Sequence, residues 1–104
     1  EVRDPERFGV VEFDDNQKAI AIEEKPENPK TNLACVGIYF YTHKVFDVVE
    51  KIRPSDRGEL EISSVNNIFI ERDKCDYSIL QNRWVDAGTM DSYHKTNWLI
   101  YSEK

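Results

Sequence analysis

A chain of 104 residues is the size of one domain, and with 39% of its residues hydrophobic and 33% charged it can build only a modest core under a large polar surface. Twenty acidic residues against fourteen basic give a net charge of −6, which disfavours a nucleic-acid-binding surface or a polybasic membrane contact. No apolar run has the length of a membrane span, and Cys35 and Cys75 lack metal-ligand spacing and are too few for a disulfide scaffold, so reduced thiols and a cytoplasmic setting are expected.

The first seven residues are polar and contain the turn-forming pair Asp4-Pro5, which predicts an entry loop. Residues Phe8 to Phe13 read as a strand, Asp14-Asp15-Asn16-Gln17 as a turn, and Ala19 to Lys25 as a second strand, together a β-hairpin. Gly9, at the start of the first strand, serves either as a bend or as bare backbone for close approach by a ligand.

The second strand carries Ile20 and Ile22 on one face, so Glu24 arrives on that same face, where a core is expected. Pro26 cannot donate to a ladder and biases Lys25 away from helix, which stops the strand with Glu24 and Lys25 at a rim. An acceptor-only carboxylate beside a cationic donor can grip hydroxyls and a phosphate; the alternative is a solvated strand end.

A loop over Pro26 to Asn32 leads into Leu33 to Tyr41, a β-branched and aromatic run expected to form a central strand buried on both faces, with Gly37 marking a close approach. Thr42 can cap a helix from His43 to Ile52, which Pro54 ends. After the polar turn Ser55-Asp56-Arg57-Gly58, a second helix is expected from Glu59 to Arg72, with Leu60, Ile62, Val65, Ile68, Phe69 and Ile70 turned inward. Glu59 and Glu61 at its start suit the helix dipole, and Arg57 just ahead of the N-terminus is an arrangement that holds an anion.

Cys75 to Leu80 and Arg83 to Asp86 read as strands, and a final helix is expected from Met90 to Ser102. Asp86, between Trp84 and Gly88, is either a turn former or helix cap, or a hard-oxygen ligand to a divalent cation. His43 and His94 have no partner at ligand spacing, and no Ser-His-Asp or Cys-His arrangement is present.

Five segments taken together, Asp4 to Val11, Glu23-Glu24-Lys25-Pro26, Val36 to Phe40, Arg57-Gly58-Glu59-Leu60-Glu61-Ile62 and Trp84-Val85-Asp86-Ala87-Gly88-Thr89, resemble the sugar-phosphate nucleotidyltransferases in order and spacing. Within that family the resemblance is strongest to the enzymes that join glucose 1-phosphate to dTTP, although Ala87 stands where many of them have threonine. The family's glycine-rich nucleotide-binding loop has no counterpart here, and the chain opens without an initiator methionine. The resemblance therefore implies a single domain over residues 1–104, the C-terminal, sugar-phosphate-binding half of a Rossmann-like fold, with a mixed sheet, packed helices and an absent N-terminal half.

By the same resemblance Glu24 would accept hydrogen bonds from sugar hydroxyls, while Lys25 and Arg57 would hold phosphate as the catalytic cations. Gly9, Cys35, Val36 and Gly37 would line the sugar pocket, Glu59 would stand near the sugar, Trp84 would frame the site, and Asp86 would bind Mg2+. The implied partners are a sugar 1-phosphate and a nucleoside triphosphate, in a homo-oligomeric enzyme of nucleotide-sugar synthesis for cell-surface polysaccharide, with this piece inactive by itself. A relative using UTP, GTP or CTP, or a non-catalytic sugar-phosphate-binding module, is the alternative.

Overall fold

An antiparallel hairpin opens the fold in the computed structural model, which describes residues 1–104. Its strands are β1 (Gly9–Phe13) and β2 (Ala19–Glu24), preceded by a 3₁₀ turn over Pro5–Arg7. The turn closes on Asp14, whose N–H donates to the Lys18 carbonyl at 2.9 Å and whose Oδ1 accepts from the Asn16 and Lys18 N–H groups. Gln17 supplies the left-handed residue such a loop needs, at φ +63°. Val10 and Ile22 are the buried anchors of the hairpin.

Helix α2 (Ile62–Glu71) packs along β2 and contributes Val65 and Ile70 to the core, while Val48 of the short helix α1 (Val45–Val49) is fully buried. The chain is α/β, as its strand and helix signals imply, and no helix in it is long and apolar enough to cross a membrane.

Several elements differ from expectation. Leu33 to Tyr41 is not a buried strand: Ala34 makes a single bridge to Val10, after which the chain leaves the sheet with Ile38 62% and Phe40 94% exposed. Cys75 to Leu80 and Arg83 to Asp86 run without ladder partners. Composition suits all three segments to strands, but a strand exists only where a second segment satisfies its N–H and C=O groups. The groove between the two longer segments, about 1210 Å³, is mostly apolar, with Cys35, Val36, Tyr77, Ile79 and Trp84 in its lining.

Helix α1 is confined to five residues, flanked by tighter turns such as Val45 N–H to the Thr42 carbonyl (3.0 Å), and Thr42 gives no side-chain cap. Helix α2 starts at Ile62 rather than Glu59, so Leu60 stays out of the core, and Ile62 is exposed as well. Helix α3 (Met90–Ser102) has the expected bounds, set by a reciprocal cap between Thr89 and Ser92, yet none of its residues is buried. The Cα radius of gyration, 15.3 Å, exceeds the roughly 13 Å of a compact chain this long.

Candidate functional site

The carboxylate of Glu24 lies on the inner side of β2, two residues beyond buried Ile22, as strand alternation requires. Its Oε2 accepts a 2.6 Å hydrogen bond from the hydroxyl of Ser63, in the first turn of α2. Gly9 pairs directly with Glu24 across the hairpin. A Cβ on Gly9 would stand 3.1 Å from both Glu24 Oε2 and Ser63 Oγ, so the bare glycine makes room for this pair.

One turn further along α2, Asn67 holds β2 itself. Its Oδ1 accepts from the Ile22 N–H at 2.7 Å and its Nδ2 donates to the Ile22 carbonyl at 2.8 Å. These are the two Ile22 groups that point away from β1, so the amide substitutes for a neighbouring strand at one residue. Ser63, Asn66 and Asn67 share helical spacing with the inward Ile70 on the inner face of α2, and that spacing is the sequence signal for these three polar residues.

Lys25 ends the strand with φ +44°, a left-handed conformation unusual outside glycine, while its N–H donates to the Phe8 carbonyl at 2.9 Å. The extended conformation that Pro26 favours for the preceding residue is therefore not the one Lys25 adopts. The ring of Phe8 meets Trp84 edge to face, 5.4 Å between centroids, and carries the Arg7 guanidinium 5.5 Å from its own centroid. Arg7 in turn bonds Asp4 at 2.8 Å and stands 3.6 Å from Asp86. Phe8 and Arg7 thus link Lys25, Trp84 and Asp86, and neither was singled out from the sequence.

Asp86 offers hard oxygen donors, and its carboxylate curls to within 3.3 Å of where a Cβ on Gly88 would lie. No group of three or more His, Cys, Asp or Glu side chains surrounds it, and its near neighbour is a cation. The residues present fit one ligand of a divalent cation, not a whole site.

Cys35 donates its N–H to the Gly9 carbonyl at 2.7 Å, which brings it beside Glu24, and its thiol contacts the Tyr39 hydroxyl at 3.9 Å. Tyr41 donates to Asn66 Oδ1 at 2.5 Å. Burial pushes Cys35, Tyr39 and Tyr41 up, and Cys35 close by adds to it for the two tyrosines. Groups raised in the folded state favour folding while neutral, so this contribution is complete below about pH 8.5 and lost as the pH climbs through the raised values. Tyr39→Phe is expected to move the alkaline unfolding midpoint upward; an unchanged midpoint would count against a folded-state shift. Val36 lines the groove, whereas Gly37 is exposed with no atom within 4 Å of where a Cβ on it would lie, so it marks no close approach within the chain.

Arg57 is committed to carboxylates: Nη2 lies 2.5 Å from Glu59 and Nε 3.6 Å from Glu61. With Ser55 Oγ also donating to Glu61 and Gly58 turning at φ +76°, residues 55–61 form a closed loop, which is why α2 begins late. Glu59 accordingly lies outside the helix rather than on its dipole, and Arg57 precedes the first helical residue by a full loop. Arg57 and Glu59 bond none of the other expected site residues directly; they reach Glu24 only through the start of α2.

Residues 1–103 match the nucleotidyl transferase family. The chain belongs to that family. It is 46% identical over 96 residues to a glucose-1-phosphate thymidylyltransferase of Neisseria gonorrhoeae, covering 90% of this chain and 33% of that protein. It is 34% identical to the low-salt glycan biosynthesis nucleotidyltransferase of Haloferax volcanii over 100% of this chain and 29% of the other. A crystal structure described as a putative glucose-1-phosphate thymidylyltransferase from Bacillus anthracis, in complex with a sucrose, superposes with a TM-score of 0.83 at 47% identity, over 94% of this chain and 39% of that one. The chain thus spans about a third of the length of these relatives.

Proposed function

We propose that this chain is the sugar-phosphate-binding part of a nucleotidyltransferase that joins glucose 1-phosphate to dTTP, with the nucleotide-binding half lying outside residues 1–104. The observation that carries the reading is Glu24: one oxygen is anchored on Ser63, the other makes no hydrogen bond within the chain, and Lys25 follows at the strand end. A free carboxylate oxygen accepts sugar hydroxyls, and the adjacent ammonium neutralises the phosphate on the same sugar.

In the reaction, an oxygen of the sugar phosphate attacks the α-phosphorus of the triphosphate, the new P–O bond forms, and the bond to pyrophosphate breaks. The attacking oxygen is already anionic, so no general base is required. Glu24 and Gly9 place the sugar, Lys25 offsets phosphate charge, and Trp84 with Phe8 walls one side. Arg57 can add its charge only after release from Glu59 and Glu61. Asp86 would be one ligand of Mg2+, which supplies charge neutralisation at the triphosphate when bound.

Nucleotide-sugar supply for cell-surface polysaccharide, a cytoplasmic setting and a homo-oligomeric parent go with this reading. A second reading is the same chemistry with UTP, GTP or CTP, since the family match specifies nucleotidyl transfer and no base. The test is pyrophosphate release by the full-length protein over a grid of triphosphates and sugar 1-phosphates. Turnover with dTTP and glucose 1-phosphate that collapses in Asp86→Asn is expected. Another productive triphosphate would select the second reading, and binding of sugar phosphate without turnover would leave a non-catalytic module.

A further inference from the structure

Two contacts join α2 to β2, and their spacing is matched. Ser63 and Asn67 are four residues apart on the helix, a rise of about 6 Å. Glu24 and Ile22 are two residues apart on the strand, a rise of about 6.6 Å. The helix therefore runs antiparallel to the strand with both side chains in register, Ser63 on Glu24 and Asn67 on Ile22. A slip of one residue on either element would break both.

The Ser63 hydroxyl is nearly enclosed, with the residue 5% exposed, and it donates to only one of the two Glu24 oxygens. Gly9 leaves that same oxygen its room, since a Cβ there would stand 3.1 Å from it. The carboxylate is therefore restrained at Oε2, and Oε1 is the oxygen with no hydrogen bond inside the chain.

We infer that Ser63 is a positioning residue that sets sugar selectivity through Glu24, by fixing which carboxylate oxygen meets the substrate and at what angle, with Asn67 holding the strand in register beneath it. The inference rests on the proposed sugar-phosphate reading. A carboxylate with one anchored oxygen has a single acceptor direction, so it rewards a hydroxyl at one ring position and one configuration. Released from Ser63, the same group could swing to meet several, with less affinity for each.

The test uses the full-length protein with dTTP, glucose 1-phosphate and the series of its singly deoxygenated analogues. Ser63→Ala is expected to raise KM for glucose 1-phosphate about 10- to 100-fold, the loss typical of a hydrogen bond to a charged group. The KM for dTTP and kcat should change little, because the contact holds ground and transition states alike. Against the analogue lacking the hydroxyl that Glu24 receives, wild type and Ser63→Ala should converge, and Ser63→Thr should restore the selectivity. An equal loss across every sugar, or a matching loss for dTTP, would reduce Ser63 to a merely structural role. No change in either variant would overturn the inference alone, while the wild type's failure to bind or turn over any sugar phosphate would overturn the underlying reading with it. Should Ser63→Ala fail to fold, Ser63→Cys keeps the volume with a weaker donor and must show the same split between sugars.

Discussion

Exchanging Asn67 for leucine is expected to lower the free energy of unfolding by about 2–4 kcal/mol, because it strips partners from two backbone groups at once. Ile22 is 8% exposed, and its outward N–H and C=O have no bond other than those to the Asn67 amide. Leucine fills a similar volume and gains some apolar burial, but it cannot satisfy either group. Asn67→Asp gives a sharper signature. Its carboxylate still accepts from the Ile22 N–H, yet its second oxygen faces the Ile22 carbonyl where Nδ2 now donates from 2.8 Å. Protonation restores a donor, so the folded state should raise this carboxyl's pKa. The sign follows: the variant regains stability as pH falls and loses it as pH rises through the raised value. Urea unfolding at pH 7 and pH 4, followed by far-UV circular dichroism, reads both variants. A leucine variant within about 0.5 kcal/mol of wild type would show that the amide contact carries no weight, as ordinary surface changes do.

Lys25 should separate stability from binding. A left-handed lysine costs about 1–2 kcal/mol relative to a favoured conformation, and glycine removes most of that cost. Lys25→Gly is therefore expected to be as stable as wild type or up to about 1 kcal/mol more so, while Lys25→Ala keeps the strain and changes stability little. Under the proposed function both lose the ammonium and should weaken sugar-phosphate binding about 10- to 100-fold, the worth of a charge-assisted hydrogen bond. Titration calorimetry with glucose 1-phosphate against the neutral sugar isolates the phosphate contribution. Unaltered affinity in both variants would remove Lys25 from the site. Strain held at a residue that also carries the charge is a pattern found where backbone geometry aims a side chain.

Local rules made part of this molecule legible. The hairpin followed from the alternation around Ile20 and Ile22, the Asp14 to Gln17 turn and the stop at Pro26, and its registry places Glu24 on the side of buried Ile22, although Ile20 at the open end of that face is 48% exposed. The bounds of α3 followed from a polar Thr89 before a helical run, with Ser92 completing the cap. Family membership was carried by five short motifs whose residues need no tertiary context to be compared. The expected groups Gly9, Glu24 and Cys35 do lie together, and Lys25, Trp84 and Asp86 are joined through Phe8 and Arg7.

The rest turned on contacts between residues far apart in the chain. Leu33 to Tyr41 has the composition of a central strand, but only Ala34 finds a bridge, and composition cannot create the partner that a ladder requires. The start of α2 was decided by Arg57, which draws Glu59 and Glu61 into a loop and delays the first helical residue to Ile62. Ser63 and Asn67, on the inner face of that helix, find their partners in Glu24 and Ile22, 39 and 45 residues earlier. The sequence by itself thus determined the hairpin, the last helix and the family, because propensity, capping and alternation act within a few residues. Which backbone groups are satisfied, and which oxygen of Glu24 is left free, was decided only by the tertiary structure, because each depends on a donor or acceptor that the chain must fold to deliver.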